Sequence, residues 1–356
     1  MAIPTGIAST RTLTGIANAI RFQNGENRRY QPGEMTDAIE ALDGTQEKYG
    51  MQYLPEEPFY GRMSVLPYTA IANAIRGQNG ETRDYKPCEM ADAIRELEWK
   101  KPEAYALLTY PKEGTNEQKL FFVMADEGSK LRSMYNGWPI LEVYSGFEDA
   151  EYTSNSQVPW YSHHDDITAV EVCDAIKPKS CAYWFYTFRN CTSFDLAKLN
   201  TSEATSLTFM FYYCSAVTEL DLRGFVTSNV RSLNYTFYYC TKLEILRMGS
   251  WDMRKLDVFA QCFRNLSAMT VLDLSGWLMP EYTSTMQYVF YTCSKLTTIY
   301  APTDCDLSDT ALATSCFNSC TKLVGGAGTT YSSTNTSASM ARIDGLGGKT
   351  GYFTAK

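Results

Sequence analysis

At 356 residues and 44% apolar content, the chain is long enough for two or three domains and has the make-up of an ordinary soluble protein. Its net charge of −8, with 32 basic residues scattered rather than massed, argues against nucleic acid or an anionic membrane as partner. No run approaches the ~20 apolar residues of a membrane span, so no membrane insertion is expected.

The chain opens Met-Ala-Ile-Pro-Thr-Gly, without the basic-then-apolar pattern of a secretory signal, and shows no C-terminal wall anchor, so synthesis in a cytoplasm is expected. Residues 13–43 and 68–98 then repeat one another at an offset of 55: Ile16-Ala-Asn-Ala-Ile-Arg21 returns as Ile71-Ala-Asn-Ala-Ile-Arg76. Asn24-Gly-Glu26 is matched by Asn79-Gly-Glu81, and Glu34-Met35 by Glu89-Met90. Each copy reads as helix, Asn-Gly turn, short extended piece, helix, with Pro32 or Pro87 opening the second helix. The apolar stripe of the first copy is Ile16, Ile20, Met35 and Ile39, and that of the second is Ile71, Ile75, Met90 and Ile94. A unit this small cannot bury such a stripe alone, so it is expected to pack on its twin, another subunit or a larger assembly. These modules occupy residues 1–47 and 68–100, and Pro55, Pro58 and Pro67 make residues 48–67 an extended linker.

The doubled phrases resemble helical units in the virion-proximal parts of phage tail and tail-fibre proteins. That resemblance implies attachment to other phage tail or baseplate proteins and a homo-oligomer, a trimer by analogy. Two ordinary helical hairpins of a bacterial protein remain the alternative.

From residue 101 to 166 the pattern turns to strands: Ala104–Tyr110, Lys119–Met124 and Ile140–Tyr144 are short apolar or alternating runs. They are expected to form a small β cap over the N-terminal end of the repeats at 167–327. Ile167–Val172 reads as the strand of a truncated first unit.

Residues 167–327 carry a repeat. A phenylalanine is followed three residues later by cysteine or leucine at Phe188/Cys191, Phe211/Cys214, Phe237/Cys240, Phe263/Leu266, Phe290/Cys293 and Phe317/Cys320, in steps of 23, 26, 26, 27 and 27. Large apolar residues stand four before the phenylalanine, so positions −4, 0 and +3 predict one face of a helical turn. Alternations such as Leu220-Asp-Leu222 and Leu272-Asp-Leu274 predict one short strand per unit. The expected fold is an α/β repeat: a leucine-rich-repeat solenoid with N-terminal helical modules and a small β cap. Residues 328–356 are expected to close its far end as a capping hairpin.

Thr227-Ser-Asn-Val230, Phe237-Tyr-Tyr-Cys240 and Leu272-Asp-Leu-Ser-Gly-Trp277 resemble the bacterial surface-antigen (BspA-like) type of leucine-rich repeat. That family implies adhesion modules on bacterial surfaces and on phage-encoded proteins, and it supplies no catalytic motif.

Chemistry is sparse elsewhere. Of 11 cysteines, five share the +3 position, where Leu266 replaces sulfur, so buried free thiols are expected rather than disulfides or metal ligands. His163 and His164, the only histidines, fit a solvated loop. Asp221 and Asp273 fit solvent-facing strand positions. No catalytic residue, metal or cofactor is expected, although two carboxylates of a polysaccharide hydrolase could hide among 40 acidic residues.

More informative are 25 tyrosines. Tyr212, Tyr213, Tyr238, Tyr239 and Tyr291 follow the repeat phenylalanines, with Arg264 between them, and Tyr186, Phe209, Tyr235 and Tyr288 stand two before. Stacking would align these into ladders, which serve either as a recognition surface or as shields for the joints between units. The expected function is a phage tail-associated adhesin, made in the host cytoplasm and carried on the virion, that binds a glycan or protein on the host surface. A bacterial-surface adhesion protein without a virion is the alternative.

Overall fold

The computed structural model describes residues 71–73, 75–76, 89–90, 93, 102–125, 131, 133–281 and 283–356. Residues 103–356 form one compact unit, separate from residues 1–102. Its described residues form eleven strands: β1 Glu103–Thr109, β2 Lys119–Ala125, β3 Met134–Tyr135, β4 Trp138–Ser145, β5 Ala169–Val172, β6 Ser193–Asp195, β7 Glu219–Leu222, β8 Ile245–Met248, β9 Val271–Asp273, β10 Thr298–Ala301 and β11 Phe353–Ala355.

The N-terminal sheet is continuous with the first repeats. Antiparallel β1 pairs with β2 and β4, then β2 pairs in parallel with β5, and β5 with β6. Apolar side chains on both faces of β1 and β2 explain their near-continuous hydrophobic runs. One face packs Phe122 against Trp160, Trp184 and Phe147, and the other packs Phe121 against Tyr135.

Beyond β6, successive units pair in parallel, β7 with β8 and β9 with β10. The core of this stack is a column of rings. Phe211, Phe237, Phe263, Phe290 and Phe317 follow one another at 5.2–5.7 Å with planes within 15° of parallel, and all are buried. A correction concerns its first rung. Phe185, not Phe188, meets Phe211 at 5.5 Å, and Phe185 also stands 26 residues before it. Phe188 is buried but lies beside the column, 5.6 Å from Phe185.

The bends that carry these rings are not helical. Tyr183, Phe185 and Thr187 donate their amides to the carbonyls of Thr208, Met210 and Tyr212 in the next unit, at 3.0, 3.0 and 2.7 Å. The same three bonds recur at each joint, down to Tyr288, Phe290 and Thr292 donating to Thr314, Cys316 and Asn318. The intervening amides, such as those of Met210, Tyr212 and Cys214, turn back to the carbonyl three residues earlier. A left-handed residue two before and two after each ring swings the donating amides outward. Tyr183, Phe209, Tyr235, Gln261, Tyr288 and Ser315 form one such column, and Thr187, Tyr213, Tyr239, Asn265, Thr292 and Ser319 the other, with φ between 54° and 64°.

The α/β leucine-rich-repeat solenoid is therefore corrected. Among the described residues of 103–356 there is no α-helix, and the strands fall into separate sheets of six, three and two rather than one continuous sheet. The −4, 0, +3 spacing that predicted a helical turn is equally satisfied by a tight bend, and a helix would keep the amides that here bridge units. Of the expected helical modules, 1–47 and the linker 48–67 lie outside the described residues. In 68–100 helical backbone is described only at 71–73, 75–76, 89–90 and 93. The fold is a β-sheet unit that runs into a stack of turn-and-strand repeats.

The C-terminal segment is not a hairpin either. β11 joins β10 in parallel, and the chain before it wraps around a buried carboxylate. Asp344 Oδ2 accepts from the amides of Ala327 and Thr329 (2.9 Å each), while Oδ1 accepts from the Thr329 hydroxyl (2.6 Å) and the Gly351 amide (3.2 Å). Gly325 and Gly351 crowd this clamp so closely that a Cβ at either would fall within 2.3 Å of backbone oxygen.

Candidate functional site

The expected tyrosine residues do come together. One residue after each core ring stands a half-buried side chain, giving the column Tyr186, Tyr212, Tyr238, Arg264, Tyr291, Asn318. Tyr186 and Tyr212 stack at 4.7 Å and 3°, and Tyr212 and Tyr238 at 4.8 Å and 4°. Tyr161 of the N-terminal sheet unit extends the column 5.9 Å from Tyr186, with His164 stacked on it at 4.6 Å. A second column stacks Tyr183, Phe209 and Tyr235 at 4.8 and 4.6 Å, and a third stacks Tyr213 on Tyr239 at 4.6 Å.

Tyr186, Phe209 and Tyr235 were expected in the ladder two residues before the phenylalanine, and Tyr183 was not expected at all. The signal was present in the step of 26. Counting back 26 from Tyr212 reaches Tyr186, and counting back 26 from Phe209 reaches Tyr183. Anchoring the first unit on Phe188 instead moved Tyr186 into the wrong column.

The stacking defines what the surface can do. A ring with a neighbour on each face offers no open face to a ligand, so the accessible parts are ring edges and hydroxyls. Burial pushes the Tyr212 phenol up to about 12, which keeps it a neutral hydrogen-bond donor near neutral pH. The left-handed columns are polar or aromatic, and none of the eighteen positions at −2, +1 and +2 holds a carboxylate.

The thiols belong to the core. Cys214, Cys240, Cys293 and Cys320 donate S–H to the carbonyls of Phe185, Phe211, Phe263 and Phe290 in the preceding unit, at 2.9–3.2 Å. All four are buried and free, and burial raises each of the first three well above an ordinary thiol. Leu266 holds the same position in its unit and cannot make this bond.

The remaining candidates are structural. His163 lies 3.3 Å from Glu142 and 3.2 Å from Asp166, on an exposed surface. Asp221 and Asp273 accept the amides two residues on, those of Arg223 and Ser275, and so shape the turn after each strand. Among the described residues, no group of three His, Cys, Asp or Glu is placed to hold a metal ion. Of the proposed attachment residues, Ile71, Ile75 and Met90 are each at most 1% exposed within the single chain. Ile16, Ile20, Met35, Ile39 and Ile94 lie outside the described residues.

Residues 179–323 match a family model described as Mycoplasma protein of unknown function, DUF285. The matched span is the aromatic repeat stack and excludes residues 1–178. No curated protein and no solved structure matches the chain. The expected likeness to phage tail proteins has no counterpart in these comparisons.

Proposed function

We propose that the chain is an adhesin whose repeat stack binds a cell-surface ligand along its tyrosine columns. The observation that carries this reading is the alignment of Tyr186, Tyr212, Tyr238 and Arg264 at successive rungs, at repeat positions that hold no carboxylate. Shielding the core explains aromatic bulk there, but phenylalanine would shield as well as tyrosine. A row of hydroxyls on rigid rings suits recognition, since little side-chain entropy is lost when a ligand binds.

Carriage on a phage virion, through residues 1–100 and as a trimer, rests on the doubled Ile-Ala-Asn-Ala-Ile-Arg phrase alone. The bacterial-surface alternative draws on the family match over 179–323. Both put the repeats at a cell surface, and both are tested by the same binding assay. The full chain, labelled and incubated with a panel of bacterial strains, should be retained by at least one. The double variant Tyr212→Phe, Tyr238→Phe should lose about tenfold in affinity while staying folded, because two hydrogen-bond donors are removed from a packed contact. Retention by no strain, or undiminished binding by the variant, would overturn the proposal.

A further inference from the structure

One cation interrupts the tyrosine column. The Arg264 guanidinium lies 5.3 Å from the Tyr238 ring, 5.3 Å from Tyr288 and 4.6 Å from Tyr291. Its Nη1 donates to Gln261 Oε1 at 2.8 Å, and its buried Nε meets no acceptor. Arg189, Arg223, Arg247 and Arg254 each pair with a carboxylate: Asp165, Asp221, Glu219 and Asp252. Among the described residues Arg264 has no such partner; Arg231 and Arg342 also have none, but neither lies over an aromatic ring as Arg264 does. Cation–π contact offsets part of the cost of holding a charge half out of water, but leaves guanidinium donors without an anion.

The surroundings favour an anion at this point. The chain carries 40 acidic residues, yet none falls in the three columns that flank Arg264. With Nε buried and one Nη1 bond given to Gln261, the outer Nη1–Nη2 end is the part of the planar guanidinium fork that can meet a carboxylate. On either side of it the column offers the same polar group at each rung, 4.7–4.8 Å apart where the tyrosines stack. Side chains on one face of an extended peptide recur only every ~6.7 Å and fall out of step with such rungs. A saccharide chain repeats at about the length of one rung and carries hydroxyls throughout.

We infer that the ladder binds an acidic saccharide chain, with Arg264 taking a sugar carboxylate and the flanking phenols taking hydroxyls. The inference rests on the adhesin reading and names its ligand class. Because the ring faces are covered, the sugar lies across the ring edges rather than on the faces.

The test titrates the full chain with oligogalacturonate and with a sialic-acid oligomer, each beside its methyl ester, which keeps the sugar and removes the charge. At least one acid form should bind about tenfold more tightly than its ester, and the difference should shrink at high salt. Arg264→Gln should bring the acid form down to its ester. Arg264→Lys, which keeps a point charge without the fork, should fall between. If Arg264→Gln does not fold, the lysine variant and the salt dependence of the native chain decide. Equal binding of acid and ester, or discrimination that survives in a folded Arg264→Gln, would overturn the inference. Failure to bind any probe while tyrosine-dependent binding to cells persists would overturn it and leave the adhesin standing. Failure to bind both probes and cells would remove both.

Discussion

Tyr212 and Tyr238 lie 4.8 Å apart with ring planes 4° from parallel, so each covers a face of the other. The pair is at once a candidate contact for a ligand and a wall of the repeat stack. Replacing both by alanine should therefore cost stability, about 2 kcal/mol, since each stacked pair contributes about 0.5–1.5 kcal/mol beyond its buried area. Replacing both by phenylalanine keeps the stack and should stay within about 1 kcal/mol of the native chain. Urea unfolding of the two double variants separates the roles. An alanine variant as stable as the native protein would mean that the stacking does not hold the joint.

The interior column answers to a larger scale. Phe237 has Phe211 on one side and Phe263 on the other, each at 5.6 Å. Phe237→Ala removes a fully enclosed ring from a stack that cannot collapse around the gap, and should cost about 3–5 kcal/mol. A midpoint shift in denaturant worth under about 1 kcal/mol would contradict the packing described.

Thr292 sits at φ 61°, in the left-handed region, where a β-branched side chain is strained. The preceding unit places Asn265 at the equivalent position with φ 63°. Asparagine tolerates this conformation better, so Thr292→Asn should stabilise the protein by about 0.5–1 kcal/mol. Differential scanning calorimetry should then show a melting temperature higher by about 1–4 °C, and a lower one would count against the bend geometry.

The Asp344 clamp makes the C-terminal end sensitive to acid. Burial alone would raise its pKa, but donation from the Thr329 hydroxyl and from the Thr329, Gly351 and Ala327 amides outweighs that and holds it below the usual carboxylate range. A folded-state pKa depressed in this way contributes stability fully above the unfolded value, near ~3.9, and loses it as pH falls through the folded value. The protection of residues 325–355 against hydrogen exchange, relative to the intrinsic rate at each pH, should therefore fall below about pH 4, ahead of the N-terminal sheet. Asp344→Asn presents an amide nitrogen to donors, so it should be less stable at pH 7 and lose less further stability on acidification. An unchanged exchange profile in acid would show that the carboxylate does not hold this end.

Should residues 1–102 carry the contacts between subunits, a chain of residues 103–356 will be a folded monomer while the full chain is a trimer. Native mass measurement reads both. A truncated chain that keeps the full oligomeric state would place the contacts in the repeats.

The repeat length was legible in the sequence because the core position accepts only a large ring, so phenylalanine recurs. The first rung was not, because Trp184-Phe-Tyr-Thr-Phe188 offers two phenylalanines three apart, and only the step of 26 that separates Phe211, Phe237 and Phe263 chooses Phe185. The bends were hidden for a different reason. Left-handed backbone is usually marked by glycine or asparagine, and here mostly tyrosine, threonine and serine occupy it, sustained by amides shared with the next unit. Side-chain chemistry therefore gave no warning that a helical spacing concealed a non-helical turn. The site residues could be named because equal spacing aligns them. That their faces would be mutually covered depends on the 4.7–4.8 Å rung separation, which no residue pattern encodes.

Each bend from Phe185 to Phe290 donates its amides toward its C-terminal neighbour, so these bonds run along the axis of the stack. Tension applied between the two ends loads them in series, and the joints share the same force rather than dividing it. Such a chain of links parts first at its weakest member. The joint entering the Leu266 unit lacks the sulfhydryl bond that Cys214, Cys240, Cys293 and Cys320 supply elsewhere. A protein anchored at one end and tethered to a cell at the other would begin to yield there and lengthen, absorbing load before the bound end lets go.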